Sequence, residues 1–329
     1  MADHTQKQNN IILSNWLFFT AFMVFSMAII GAITRLTESG LSMVEWRPLI
    51  GALPPLSESE WMRVFALYQE TPEYQHKNFG MSLSEFKTIF FWEWFHRLWG
   101  RLIGIVYALP LVYFWLRNMI PAHYKSKLLI GLALGGSQAI MGWYMVESGL
   151  VDRPSVSHFR LAAHLSLAFI IFGYLSWLAF SLKGTIQRYQ GSFCLRRHGW
   201  SALCLLAMTI IWGAFVAGLN AGLVYNTYPL MGGRWIPLEL NSFISIINDP
   251  AAIQFIHRWI AILAAFMTIS FAWRVKNFPL MLAIFTQVGL GIATLLCQVT
   301  LPLAVMHQAG ALVVFLCMTY SLFRISAKK

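Results

Sequence analysis

Long apolar runs broken by short polar segments dominate the chain. A hydrocarbon core about 30 Å thick needs about 20 helical residues to cross it. Eight segments qualify, at Ile11–Ile33, His96–Leu116, Leu128–Val146, Phe159–Leu182, Trp200–Leu219, Ile253–Trp273, Phe278–Leu296 and Leu303–Phe323. The last two are separated only by Val299-Thr300-Leu301-Pro302, where proline removes a donor and restricts the residue before it. The first run is too long for a signal-peptide core and is read as a retained span. The expected fold is an all-α integral membrane protein.

Composition agrees. Of 329 residues, 58% are hydrophobic and 11% charged, too little charge to coat a soluble particle of this size. The net charge of +11 would suggest nucleic acid in a soluble protein. Here it sorts by side. With the N-terminus inside, segments 1–10, 117–127, 183–199, 274–277 and 324–329 hold Lys7, Arg117, Lys125, Lys127, Lys183, Arg188, Arg196, Arg197, Arg274, Lys276, Arg324, Lys328 and Lys329 against one acid, Asp3. The positive-inside tendency then puts both termini inside, on the cytoplasmic face, with the long loop Arg35–Phe95 and the moderate loop Asn220–Pro250 outside. Cys194, Cys204, Cys297 and Cys317 follow no metal-binding or disulfide spacing.

The sequence repeats at an offset of four spans. Glu93-Trp94-Phe95-His96-Arg97 opens the second expected span, and Gln254-Phe255-Ile256-His257-Arg258 opens the sixth. His164 and His307 fall at matching places in the fourth and eighth. Gly- and Gln-containing stretches precede both, Gly135-Gly136-Ser137-Gln138 and Gln287-Val288-Gly289-Leu290-Gly291. An even offset inserts both halves in the same direction. The expected architecture is two pseudo-symmetric four-helix bundles, residues 1–190 and 191–329.

Within each half, two helices present one histidine each at similar depth, His96 with His164 and His257 with His307. Imidazoles so placed could ligate haem iron from both faces, and ionisable residues inside spans default to function. His4, His76, His123 and His198 lie in tails or loops and read as solvated. His158 sits on a different helix face from His164 and is left out. Glu93 lies at i−3 from His96, where Gln254 stands in the second half. It is either a solvated boundary acid or a proton acceptor and stabiliser beside a reacting group. Arg97, Arg101 and Arg258 either snorkel or anchor haem propionates.

Several stretches resemble the haem A synthase family over nearly the whole chain. They are Arg35-Leu36-Thr37-Glu38-Ser39-Gly40-Leu41-Ser42, Met81–Lys87 running into Trp92–Arg97, Arg160–His164, and Ala221–Thr227 with Pro229-Leu230-Met231. The first outer loop lacks cysteine over residues 36–95, so the chain resembles the cysteine-free branch. The resemblance implies oxidation of a methyl group of haem O to the formyl group of haem A, through an alcohol and a gem-diol, for use by cytochrome oxidase. It implies substrate haem in the first half at His96 and His164 with Glu93 as the essential carboxylate, and haem b in the second at His257 and His307. Expected partners are the bilayer, haem O synthase and an electron donor, without nucleic acid; a homo-oligomer stays open. The rival readings are a non-catalytic di-haem b-type cytochrome, which would share the histidines but not the Glu93 asymmetry, and a transporter, which would need polar groups at mid-membrane.

Overall fold

The computed structural model describes residues 2–45, 50–151, 155–240, 242 and 244–326. Lys328 and Lys329 lie outside the described residues. Among those described, eight helices are long and apolar enough to cross a membrane. They are α1 (Ala2–Leu36), α4 (Leu83–Leu116), α5 (Ala122–Val151), α6 (His158–Lys183), α7 (Phe193–Gly218), α9 (Pro250–Arg274), α10 (Phe278–Leu296) and α11 (Leu301–Arg324). Each covers one expected segment, α7 to within a residue at its C-terminal end, and this is an integral membrane protein. The shorter α2 (Glu58–Gln69), α3 (Pro72–His76) and α8 (Ser245–Asn248) lie in the two long connections.

The largest departure from expectation is α4. It starts at Leu83, inside the segment read as loop, so His96 does not open the helix. Ser82 caps it reciprocally: its hydroxyl accepts from the Glu85 backbone, while Glu85 Oε2 accepts from the Ser82 N–H at 2.8 Å. At 34 residues the helix is about 50 Å long, more than the hydrocarbon thickness. Its extra length carries Phe86 and Phe90 on one face, packed with Phe65 and Tyr68 of α2 and Tyr74 of α3. The connection expected to be loop is therefore largely a small helical cap with its own aromatic core.

The α10–α11 reversal falls where expected. Gln298 and Val299 adopt φ of 54° and 57°, and α11 begins with Pro302 in its first turn, where no N–H is needed.

Helix α1 packs on α4 and α6, and α5 packs on α4 and α6. Likewise α7 packs on α9 and α11, and α10 on α9 and α11. The two sets share a seam in which α6 contacts α7 and α11, and α1 contacts α11. Leu13, Leu17, Leu175 and Leu312 accordingly belong to one core.

Candidate functional site

The four matched histidines stand on α4, α6, α9 and α11. His164, His257 and His307 lie within about two turns of their helix starts, and His96 lies deeper along the extended α4. His96 lies within electrostatic reach of His164, and His257 of His307. All four residues are only half-buried. Yet Nδ1 of His96 and His164 is sealed from solvent with no hydrogen-bond partner among the described residues, and His257, whose Nδ1 is sealed as well, is held by the Thr209 backbone. One edge of each of these rings is thus closed off by protein while the residue remains accessible. That is the donor set a bis-histidine macrocycle site requires, two neutral imidazoles per site with a fixed edge.

Two glutamines hold the α6 and α11 histidines. Gln138 of α5 donates from Nε2 to the His164 carbonyl at 3.2 Å and lies 3.3 Å from its Nε2. Gln287 of α10 donates to the His307 carbonyl at 3.0 Å and lies 3.2 Å from its Nδ1. Both belong to the polar stretches that mark the repeat in the sequence.

Glu93 is not a solvated acid; it is 3% exposed. Its Oε2 accepts from Ser42 Oγ at 2.7 Å and from the Met43 N–H at 2.8 Å. Its Oε1 is ion-paired with Arg97, which also donates to the Met43 carbonyl at 3.1 Å. Ser42 is presented by a turn in which Thr37 and Ser39 hydroxyls lie 2.6 Å apart and Ser42 Oγ is 3.1 Å from the Ser39 carbonyl. The Arg35–Ser42 segment is thus the socket for this carboxylate.

The second half builds the same joint with opposite polarity. Gln254, 2% exposed, donates to the carbonyls of Ala221 and Tyr225 at 2.9 and 3.2 Å. Arg258 donates to Thr227 and Tyr225 carbonyls, each at 2.8 Å, and to Gln254 Oε1 at 3.1 Å. Glu93 receives hydrogen bonds from its loop; Gln254 gives them. Arg97 and Arg258 both turn to loop backbone. Arg101 lies one turn past Arg97, within reach of its charge.

Three histidines read as lying in loops belong to helices, His76 to α3, His123 to α5 and His198 to α7. His198 is half-buried, 3.1 Å from the Met267 carbonyl through Nε2 and 3.0 Å from Arg274 through Nδ1. His158 is buried, and its Nε2 lies 2.9 Å from the Ile247 carbonyl across the seam. His76 and His123 are exposed. A feature missed in the sequence is Glu73. It is buried in the helical cap, accepting from Tyr68 Oη at 3.0 Å, with Asn78 donating to the same phenol at 2.7 Å. Burial pushes its carboxyl up to about 7, against the Tyr68 hydrogen bond that pulls it down.

Residues 14–319 match the family described as cytochrome oxidase assembly protein. The chain belongs to that family. It is 51% identical over 314 residues to a protein of Rhodospirillum centenum named "Heme A synthase", covering 91% of this chain and 84% of the relative. Proteins of the same name from Maricaulis maris and Nitrosospira multiformis are 46% and 43% identical, over 97% of both chains and over 91% and 89% respectively. All four matched histidines and Glu93 lie inside the family match.

Proposed function

We infer that this chain is a haem A synthase, an oxidoreductase of the membrane that converts haem O to haem A for cytochrome oxidase. The observation that carries the reading is near full-length similarity to bacterial relatives of that name, over residues that include every member of the histidine and carboxylate constellation. The eight apolar helices and bacterial relatives place it as a multi-pass inner-membrane protein.

The finer assignment rests on the family resemblance, and the paired histidines and the Glu93/Gln254 difference support it. The first half, residues 1–190, takes the haem substrate between His96 and His164. The second, residues 191–329, holds haem b between His257 and His307. Haem b would supply electron-transfer chemistry when bound, exchanging electrons with an external redox partner, and the methyl-to-formyl oxidation also draws an oxidant and one oxygen atom from outside the chain. Ser42, Met43 and Arg97 keep the Glu93 carboxylate fixed on the helix that carries His96, one turn away from it. There it stabilises positive charge, or accepts a proton, as the methyl group is oxidised. Gln254 cannot take either role, which makes the second half non-oxidising. Arg97 and Arg258 brace the covering loops and bring positive charge to the propionate edges. Both termini face the cytoplasm, on the basic-residue asymmetry, and haem O arrives from the enzyme that makes it.

The test is production of the protein in a host lacking this activity but supplied with haem O, with haems extracted and separated by chromatography. Haem A should accumulate only when the protein is present. Haem O recovered unchanged, with the protein folded and haem-loaded, rejects the reading.

A further inference from the structure

A glycine on the preceding long helix faces each of the four histidines. A methyl group added at Gly31 of α1 would lie 3.1 Å from His96 Cε1. The same construction gives 3.1 Å from Gly142 of α5 to His164 Cε1, 3.1 Å from Gly213 of α7 to His257 Cε1, and 2.9 Å from Gly291 of α10 to His307 Cε1. Nδ1 is the next-nearest atom in all four, at 3.5 to 3.7 Å. Carbon atoms prefer a separation of about 3.5–4.0 Å, so any side chain there would press on the ring.

The coincidence is specific to these positions. Gly135 and Gly136 of α5 and Gly289 of α10 face nothing within 4 Å, while Gly131 and Gly149 of α5 and Gly199 and Gly218 of α7 meet tyrosine, leucine, phenylalanine or the His158 Cβ, not an imidazole ring. Close packing of small residues is common between membrane helices, but it usually brings backbone or aliphatic groups together. Here the nearest atom is the same imidazole carbon four times. In α5 and α10 the glycine also follows the histidine-holding glutamine by one turn, as Gln138/Gly142 and Gln287/Gly291. Glutamine and glycine share a helix face, one gripping the histidine backbone and the other seating its ring.

We propose that Gly31, Gly142, Gly213 and Gly291 are positioning residues: bare helix backbone at each sets how far one imidazole recedes, and therefore where its outward nitrogen stands. Glycine is a poor helix former, so its presence here calls for a local reason, and the apposed ring supplies one. The proposal rests on the reading of the four histidines as haem ligands. A ring displaced by a few tenths of an ångström lengthens or tilts its bond to iron, and the ligand field weakens.

The experiment uses the full-length protein purified in detergent, with G213A, G291A, the open-space control G289A, and H257A and H307A. Haem content is read by pyridine haemochrome, and spin state by electron paramagnetic resonance and absorption. G213A and G291A should keep haem within about twofold of the unsubstituted protein but convert a measurable part of the low-spin signal to high-spin; G289A should not. Unchanged low-spin spectra in both variants overturn the proposal. Unchanged spectra in H257A and H307A instead reject the ligand reading itself, so the two failures are distinguishable. A second readout needs no haem. If ring contact is the cause, G291A lowers the thermal midpoint in the parent but not in the H307A background, where the opposing ring is gone. An equal loss in both backgrounds overturns the proposal even if G291A is too unstable for spectroscopy.

Discussion

Arg35, the last basic residue of α1, donates through Nη2 to the carbonyl of Ala217 at 2.7 Å, near the end of α7. The same nitrogen reaches the Gly218 carbonyl at 3.2 Å and Asn220 Oδ1 at 3.1 Å. The last carbonyls of a helix have no partner within it and carry partial negative charge. One guanidinium therefore terminates a helix in the other half of the chain. Arg35→Ala should cost about 2 kcal/mol, the size of a charge-assisted hydrogen bond. Arg35→Lys should recover only part, because an ammonium lacks the planar fork. Thermal unfolding in detergent reads this directly; an unchanged midpoint in Arg35→Ala would show that the seam does not depend on it.

Glu93 separates stability from chemistry. Glu93→Ala leaves Arg97 buried without its carboxylate, and breaking a buried pair costs about 3–5 kcal/mol. Glu93→Gln keeps the shape and one acceptor oxygen for Ser42 and Met43. It should therefore retain haem while forming no detectable haem A. Ser42→Ala removes a single donor to the carboxylate and should lower turnover without abolishing it. Haem extraction after growth with haem O measures all three. Normal haem A yield in Glu93→Gln would end the case for the carboxylate.

The spans were legible because apolar runs of the required length have few alternatives, and the α10–α11 break was legible from one proline. The start of α4 was not. Glu85, Lys87 and Glu93 lower the hydropathy that marks a span, although Ser82 and Glu85 form a capping box that a search for helix starts finds. The four matched histidines could be picked out from their repetition. The socket of Glu93 could not, since Ser42 and Met43 are brought to it by a turn about fifty residues earlier in the chain. His198 misled because neighbouring Arg196 and Arg197 made a helix start look like a loop. Arg97 and Arg258 were ambiguous because sequence gives their depth but not the backbone they meet.

Glu73 should make the helical cap pH-sensitive. Its carboxyl is raised to about 7 by burial, with Glu93 and Glu38 pushing the same way and Lys77 opposing. A carboxylate harder to ionise when folded holds more protons than the unfolded chain between about 4.5 and 7. Stability is therefore greatest at the acid end of that window and declines as pH rises through it, by an amount on the order of 3 kcal/mol. Glu73→Gln should flatten that decline. Limited proteolysis of residues 50–82 across the window, in the two proteins, checks it; equal slopes would place the titration elsewhere.

Gln254→Glu tests whether the two halves can be made alike. The substitution copies Glu93 by name but meets the wrong loop. Gln254 Nε2 faces the carbonyl oxygens of Ala221 and Tyr225, and a carboxylate offers those oxygens no hydrogen. Arg258, 3.1 Å from Oε1, offsets only part of the repulsion because it is already committed to Thr227 and Tyr225. A buried acceptor left facing acceptors costs about 1–3 kcal/mol, more when charged. The variant should be less stable than the parent, the deficit should grow with pH as the new carboxyl ionises, and no second oxidising site should appear. Gln254→Leu loses the same donors without adding charge, so its deficit should not vary with pH. Thermal midpoints of the two variants at low and high pH decide the matter: parallel curves would mean that loop polarity is not what distinguishes the halves.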